Sequence, residues 1–421
     1  MVYLAHSAGV ERPSQSYHDH VEGVYNRARQ YAEEVEKYSV KAKGLFVPVV
    51  CNSALYHDLG KLDIQNQQAL QKIQGYSHLP LNHVDAGVAK LIRDNDYYSA
   101  LNIYAHHRGL TNLAAEYCRN EKVSRTDIIE DKSYIDKNLN MYLEKHNSVV
   151  SVSCQYKLVM QECAGDIPIF CRLSLSCLID ADHSDTAAHY RKLKELSCPL
   201  LRAKERLARL DNYREKISSM SDRDKLRNKM YISCCNSISA NNIVICDAPV
   251  GSGKTMAVTA YMLKQALKYG ARRIFIVQPY TNIITQTVDF LRRALVLDGE
   301  NPTDVVAELH SRAEFESANF SYLNGQWRAP IIVTTAVAFF DTLAANKPSA
   351  LRKLQEIPGS IIFVDEAHDR VPLKLWPITW HWIKPYAEEW SSRGILGSGS
   401  VAKYWEVTQP GLNANHLPNT L

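Results

Sequence analysis

Two hydrophobic rhythms divide the 421 residues. Up to about residue 210, apolar positions recur at intervals of three and four. Within Tyr17–Glu36, the residues Val21, Val24, Ala28, Tyr31 and Val35 fall on one face, which predicts an amphipathic helix. Residues 47–59, 83–92 and 173–179 read as further apolar or amphipathic helices, and no segment of this half alternates with period two. Residues 111–171 are polar and irregular, a loop with peripheral helices. Residues 203–227 interleave Lys and Arg with Glu and Asp, the pattern of a solvated helix joining two domains. After about residue 228, short continuous apolar runs take over at 243–246, 274–277, 331–333 and 361–364, with helical stretches between them. Buried strands alternating with helices predict a parallel sheet covered on both faces. The expected fold class is therefore multidomain. An all-α domain spans 1–210, a charged linker helix 211–227, and an α/β domain 228–421.

Composition changes this picture little. The chain is 46% hydrophobic and 22% charged, as globular proteins are, and its formal charge of +4 permits a nucleic-acid partner without requiring one. Ten cysteines without a C-x-x-C pair read as free thiols of a reducing compartment. With no signal peptide and no apolar run near twenty residues, the expectation is a cytoplasmic protein with no membrane partner.

The candidate chemistry of the first half centres on Leu55-Tyr56-His57-Asp58-Leu59-Gly60-Lys61. Adjacent His57 and Asp58 offer a nitrogen and a carboxylate; on a helix they point about 100° apart and could grip one ion or bridge two. Gly60 closes the apolar run, and Lys61 adds a cation within reach of a phosphate. Eight of the fifteen histidines precede residue 110, among them His20, His83 and the doublet His106-His107, and the acidic pair Asp180 and Asp182 completes the set. Such ligands suit borderline transition metals. His6, His18, His78 and His146 read as ordinary histidines.

In the second half, Ala248-Pro249-Val250-Gly251-Ser252-Gly253-Lys254-Thr255 follows the first apolar run. Its glycines let backbone N–H groups curl around phosphate oxygens. Lys254 neutralises terminal phosphates, and Thr255 presents a hydroxyl to magnesium. Ala248 stands where G-x-x-x-x-G-K-T has its first glycine, as in superfamily 2 helicases. Val364-Asp365-Glu366-Ala367-His368 closes another strand, where Asp365 can hold magnesium and Glu366 can polarise the attacking water. Gln278-Pro279-Tyr280-Thr281-Asn282, Glu308-Leu309-His310-Ser311 and Val333-Thr334-Thr335 follow expected strands and could touch a sugar–phosphate backbone.

An HD-type metal domain ahead of a DEAH-type motor resembles the CRISPR-associated type I effector nuclease–helicase. The resemblance implies an all-α HD domain followed by a RecA-like P-loop domain. It also implies a metal-dependent nuclease for single-stranded DNA, coupled to an ATP-dependent helicase, that degrades target DNA in antiviral defence. Its metal ligands carry over as His20, His57, Asp58, His83, His106, His107 and Asp182, binding two divalent ions of manganese, iron, nickel or cobalt. His20 and Asp182 would serve one ion, and His83 with His106 and His107 the other. Asp58 would bridge two ions about 3.5–4 Å apart, so that a water is activated and the leaving oxygen stabilised. Lys61 would offset charge in the transition state. Asp180 would orient a ligand histidine, with Arg172 or Arg191 as its cationic partner. In the motor, Gly251, Ser252, Gly253, Lys254, Thr255, Asp365 and Glu366 would hold ATP and magnesium. Gly397-Ser398-Gly399-Ser400 with Tyr404-Trp405 looks like the coupling motif, with Ser-Gly-Ser in place of Ser-Ala-Thr. The implied partners are single-stranded DNA, a Cascade-type CRISPR effector complex and a second RecA-like domain, which is expected beyond Leu421 or on a separate polypeptide. The alternative function is an HD phosphohydrolase acting on nucleotides, with a regulatory nucleotide-binding domain. A docking module with two inert sites is a third reading, opposed by the intact ligand set.

Overall fold

A computed structural model describes residues 2–9, 13–72, 79–111, 134–153, 165–191, 199–217, 221–237, 239–249, 251–309, 327–366, 376–399 and 415–416. His78, His310, Ser311, Ala367, His368, Ser400, Tyr404 and Trp405 lie outside the described residues, as does most of the stretch 111–171. The chain forms two compact units. One comprises Met1–Leu196 with Ala345–Gln355, and the other Ser197–Ala344 with Glu356–Leu421.

Among the described residues, the first unit is helical apart from a small antiparallel pairing, β1 (Leu4–His6) against β2 (Gln15–Ser16). Strands this short show no alternation, so the sequence pattern passes over them. Helix α1 (Tyr17–Glu36) starts where Ser16 Oγ accepts a hydrogen bond from the Asp19 N–H at 3.0 Å. Its stripe of Val21, Val24, Ala28, Ala32 and Val35 is buried against α2 (Phe46–Tyr56) and α7 (Ile167–Arg191). Between them run α3 (Ile64–Leu70), α4 (Val84–Arg93), α5 (Tyr97–Ala105) and α6 (Tyr134–Val149). Apolar residues cover nearly every side of α2, which makes it the central element. It ends at Tyr56, so His57 and Asp58 sit on the helix terminus rather than along its side.

In the second unit, α8 (Ala203–Ile217) and α9 (Asp222–Asn236) precede a seven-stranded sheet. Its elements are β3 (Ile243–Asp247), α10 (Lys254–Tyr269), β4 (Arg273–Gln278), α11 (Thr281–Leu295), β5 (Val306–Leu309), β6 (Ile331–Thr335), α12 (Ala336–Ala344), β7 (Ser360–Val364), α13 (Trp376–Glu389), β8 (Arg393–Ser398) and β9 (Asn415–His416). The strand order is β5-β6-β4-β7-β8-β3-β9, and all pairings are parallel. The four apolar runs are four of these strands. The pattern omits β5, β8 and β9, whose sequences are short or interrupted by Glu308, Gly394 and Gly397.

The expected linker at 211–227 is instead part of this unit. It is split between α8 and α9, which pack on α10 and, for α8, on α11. The reason is charge satisfaction. The fully buried Arg206 guanidinium donates to Glu300 at 2.8 and 3.0 Å and to Leu295 O at 2.9 Å, while Tyr231 donates to Asp211 at 2.8 Å. Only Arg206 and Leu210 of α8 are buried, and most of its other charged side chains stay exposed, so its composition looks like that of a solvated helix.

Candidate metal centre and nucleotide cleft

Five separate segments of the first unit bring their donors to one place. His20 comes from the first turns of α1, His57 and Asp58 from the end of α2, and His83 from the residue before α4. His106 and His107 follow α5, and Asp182 lies within α7. They form two groups whose ligand atoms lie within 4.8 Å of one another: His20, His57 and Asp182, and Asp58, His83, His106 and His107. Asp58 joins them. Its Oδ2 lies 3.2 Å from His20 Nε2 and 3.5 Å from His57 Nε2, and its Oδ1 lies 3.5 Å from His83 Nε2.

Helix ends fix the imidazoles. The His57 Nδ1–H donates to Ala54 O at 2.7 Å and the His106 Nδ1–H to Ile103 O at 2.5 Å, each to the carbonyl three residues back. In both, Nε2 is left as the acceptor facing the centre. Burial holds the His57 and His106 imidazoles below their ordinary range and His83 down to about 3, so these three are neutral, the ligand form, at pH 7. Burial acts the same way on His20, but its bond to Asp185 and the nearby Asp58 carboxylate outweigh it and raise that group to about 9. Burial would raise the Asp58 carboxyl, yet Lys61 and the surrounding histidines hold it well below the usual carboxylate range. Gly60 has a steric role that ending the apolar run does not capture. Its N–H donates to His83 O at 3.0 Å, and a Cβ there would lie 2.6 Å from that oxygen. The missing side chain lets His83 approach Asp58.

The donor set fits a divalent transition ion. Neither oxygen of the buried Asp58 accepts a hydrogen bond of good geometry, although Lys61 Nζ lies 2.6 Å from Oδ2, and His106 Nε2 is buried without a partner. His107 Nε2 lies 3.0 Å from His83 Nε2 and His57 Nε2 lies 3.3 Å from His20 Nε2, close approaches of nitrogens that a shared cation would favour.

The two aspartates of α7 separate, as residues two apart on a helix must. Asp182 Oδ1 is 3.4 Å from His20 Nε2. Asp180, expected to orient a ligand histidine, bonds to residues other than the ligand histidines. It faces away and is bonded by Arg352 and Gln355, while Arg172 bonds Ala345 O instead. The side chain of Arg191 lies outside the described residues. The orienting carboxylate is Asp185, which accepts from His20 Nδ1 at 3.0 Å and from Gln15 Nε2 at 2.8 Å. Its one sequence signal is a spacing of three from Asp182. His6, expected to be ordinary, packs edge-on against His20 with ring centroids 4.7 Å apart, and burial pushes its imidazole down to about 2. His18 lies on the surface beside Asp19 and Glu22, and His146 is buried against Tyr17.

In the second unit, the strand ends converge on a cavity of about 750 Å³ lined by Gly251, Gly253, Lys254, Thr255, Asp365 and Glu366, among others. Gly251 and Gly253 have φ of 85° and 83°, a left-handed backbone that favours glycine, and α10 begins at Lys254. Lys254 Nζ is 2.7 Å from both Asp365 Oδ1 and Glu366 Oε1. The Gly399 N–H donates to Glu366 Oε2 at 3.0 Å, and the Ala248 N–H to Ser398 O at 3.1 Å. Backbone groups of Ser398, which ends β8, and of Gly399 after it therefore tie the phosphate loop to Glu366. Six cysteines among the described residues are free thiols, and no described helix is long and apolar enough to cross a membrane.

These features define a class: an HD domain followed by a DEAD/DEAH-box helicase domain. Residues 17–139 match the HD domain family and residues 229–371 the DEAD/DEAH box helicase family. Domains of these kinds are hydrolases that use divalent metal and ATP with magnesium. The fold is similar to that of about half of T. fusca Cas3. The Cas3–AMPPNP crystal structure matches at a TM-score of 0.57 and 16% identity, over 95% of this chain and 50% of that one. The Cas3–ATP structure gives 0.56 and 17%, over 94% and 50%. A chain in a CRISPR RNA-guided surveillance complex, pre-nicking, gives 0.50 and 16%, over 95% and 48%. The chain thus spans about half the length of the solved chains it matches. No curated protein sequence matches it.

Proposed function

We propose that the chain is the nuclease and first motor domain of a Cas3-like nuclease–helicase, which cuts single-stranded DNA at the HD centre during CRISPR type I interference. The observation that carries this reading is the pair of donor groups joined by the buried Asp58, with Lys61 at its side. His20, His57 and Asp182 would hold one divalent ion, and Asp58, His83, His106 and His107 the other. Bound there, such ions supply an activated water and neutralise charge on a phosphodiester. The residues do the rest. The Nδ1 bonds of His20, His57 and His106 keep Nε2 turned inward, and Lys61 keeps Asp58 ionised and adds positive charge where a phosphate would bind.

In the second unit, Gly251, Ser252 and Gly253 would wrap the phosphates of ATP. Lys254 would exchange its carboxylate partners for phosphate oxygens, Thr255 and Asp365 would hold magnesium, and Glu366 would orient water. Motion along DNA would feed the HD centre. The partners in this reading are single-stranded DNA, a Cascade-type surveillance complex and a second RecA-like domain, in the cytoplasm.

The test is cleavage of circular single-stranded DNA with manganese, nickel or cobalt and no ATP, run beside hydrolysis of nucleoside triphosphates. Losing the shared carboxylate forfeits several kcal/mol of charge stabilisation, so Asp58→Ala should cut about 10³-fold more slowly. An Asp58→Ala protein cutting at the parental rate would place the nuclease elsewhere. Hydrolysis of nucleotides without DNA cleavage would favour the phosphohydrolase.

A further inference from the structure

The HD family match ends at residue 139, and residues 345–355 lie inside the helicase match, yet those eleven residues belong to the metal-binding unit. They run along one face of α7. Arg172 donates to Ala345 O, Ser176 Oγ accepts the Gln355 N–H at 3.1 Å, and Asp180 receives the heaviest set of contacts. Arg352 donates to Asp180 Oδ1 from Nη2 at 2.7 Å and from Nε at 3.0 Å, and Gln355 Nε2 donates to Oδ2 at 2.7 Å. Residues 172, 176 and 180 are spaced by four, so one helical face carries all three contacts. Asp182 lies about 200° around the axis from Asp180 and meets His20 on the other side. Rotation of α7 about its axis would break both sets together.

We propose that Arg352 and Gln355 are positioning residues for the His20–His57–Asp182 group. They hold Asp180, and through it the turn of α7 that presents Asp182. Asp180 is fully buried, and Arg352 and Gln355 give its carboxylate three short bonds, so turning α7 would strip it of these charge-assisted donors. Part of the metal centre's geometry is thus encoded within the helicase stretch of the sequence. This inference rests on the metal-binding reading above.

The experiment uses the whole chain and manganese alone, with binding followed by calorimetry and bound metal counted in protein shown to be folded by circular dichroism. Arg352→Ala and Gln355→Leu should weaken one of the two ions by about 10- to 100-fold, the usual effect of losing an outer partner, while the other keeps its parental affinity. Arg352→Lys should recover part of the loss. The pair Asp180→Asn with Arg352→Gln leaves no charge unpaired; it should fold even where Arg352→Ala does not, and show the same weakening. A brace that only stabilises the fold would lower the melting temperature yet leave manganese affinity in the folded variants unchanged, and that result would overturn the inference. Parental protein that binds no manganese would overturn the metal reading itself, and the inference with it.

Discussion

In the nucleotide unit, the polar groups that matter follow three strands of one sheet, each group a short local cluster at a strand end. Gly251 to Thr255 follow β3, Asp365 and Glu366 follow β7, and Gly399 follows β8. In the helical unit, seven candidate donors come from five segments between His20 and Asp182; five are buried, His83 is half-buried and His107 is exposed. A parallel sheet delivers every strand's carboxyl end to the same edge, so a local motif can make most of a site there. A helical bundle offers no common edge. Its site forms where helix ends and one helix face meet in the interior, and each donor must be neutralised or paired by something further out. The nucleotide cleft is therefore a property of loops, and the metal centre a property of packing.

The sharpest way to break this contrast is to remove one local group from each site and measure both. Lys254→Ala deletes charge-assisted bonds worth roughly 1.5–3 kcal/mol each and leaves Asp365 and Glu366 facing each other. ATP affinity should fall about 100-fold, by titration with a fluorescent analogue, while manganese content stays parental. Loss of manganese in this variant would show that the nucleotide site is not a self-contained loop assembly.

The converse change lies outside the donor set. Asp185→Asn keeps an acceptor for the His20 Nδ1–H but loses the charge that Gln15 and His20 share. Metal affinity should fall about tenfold, the low end for an outer partner, with ATP binding unchanged. An unaltered manganese isotherm would show that donor geometry here does not depend on the layer behind it.

The same contrast explains what could be read from the sequence. The phosphate loop and the Asp365-Glu366 pair were legible because their chemistry is encoded at fixed short spacing. The seven candidate metal ligands were legible only through the abundance of histidine and the family resemblance, since no spacing links His20 to Asp182. Gln15 and Arg352 were not legible at all, and Asp185 only through its spacing of three from Asp182. Their roles depend on which helix faces meet, and a carboxylate bonded to a ligand histidine has the same composition as one in solvent. Asp180 was assigned to the metal side for that reason. The burial of Arg206 escaped for a related one, because its partner Glu300 is ninety-four residues away.

The smallest expected effect tests packing without touching either site. His146, on α6, is buried, with its Nδ1 3.0 Å from Tyr17 OH and its ring 5.3 Å from that of Tyr56. Burial, with added repulsion from His57 and Lys90, pushes its imidazole down to about 4. An unfolded chain binds a proton at this residue near pH 6.5, so between about 4 and 6.5 the unfolded state carries more protons and stability falls as pH falls. From pH 7 to 5.5 the loss should be about 1 kcal/mol. Other histidines of the unit titrate as well, so the informative quantity is the difference between the parent and His146→Gln, both stripped of metal. Hydrogen exchange of α1 and α6 amides at the two pH values gives it directly. The parent should lose about 1 kcal/mol more protection than the variant, and equal losses would mean that His146 takes up its proton in the fold as readily as in the unfolded chain.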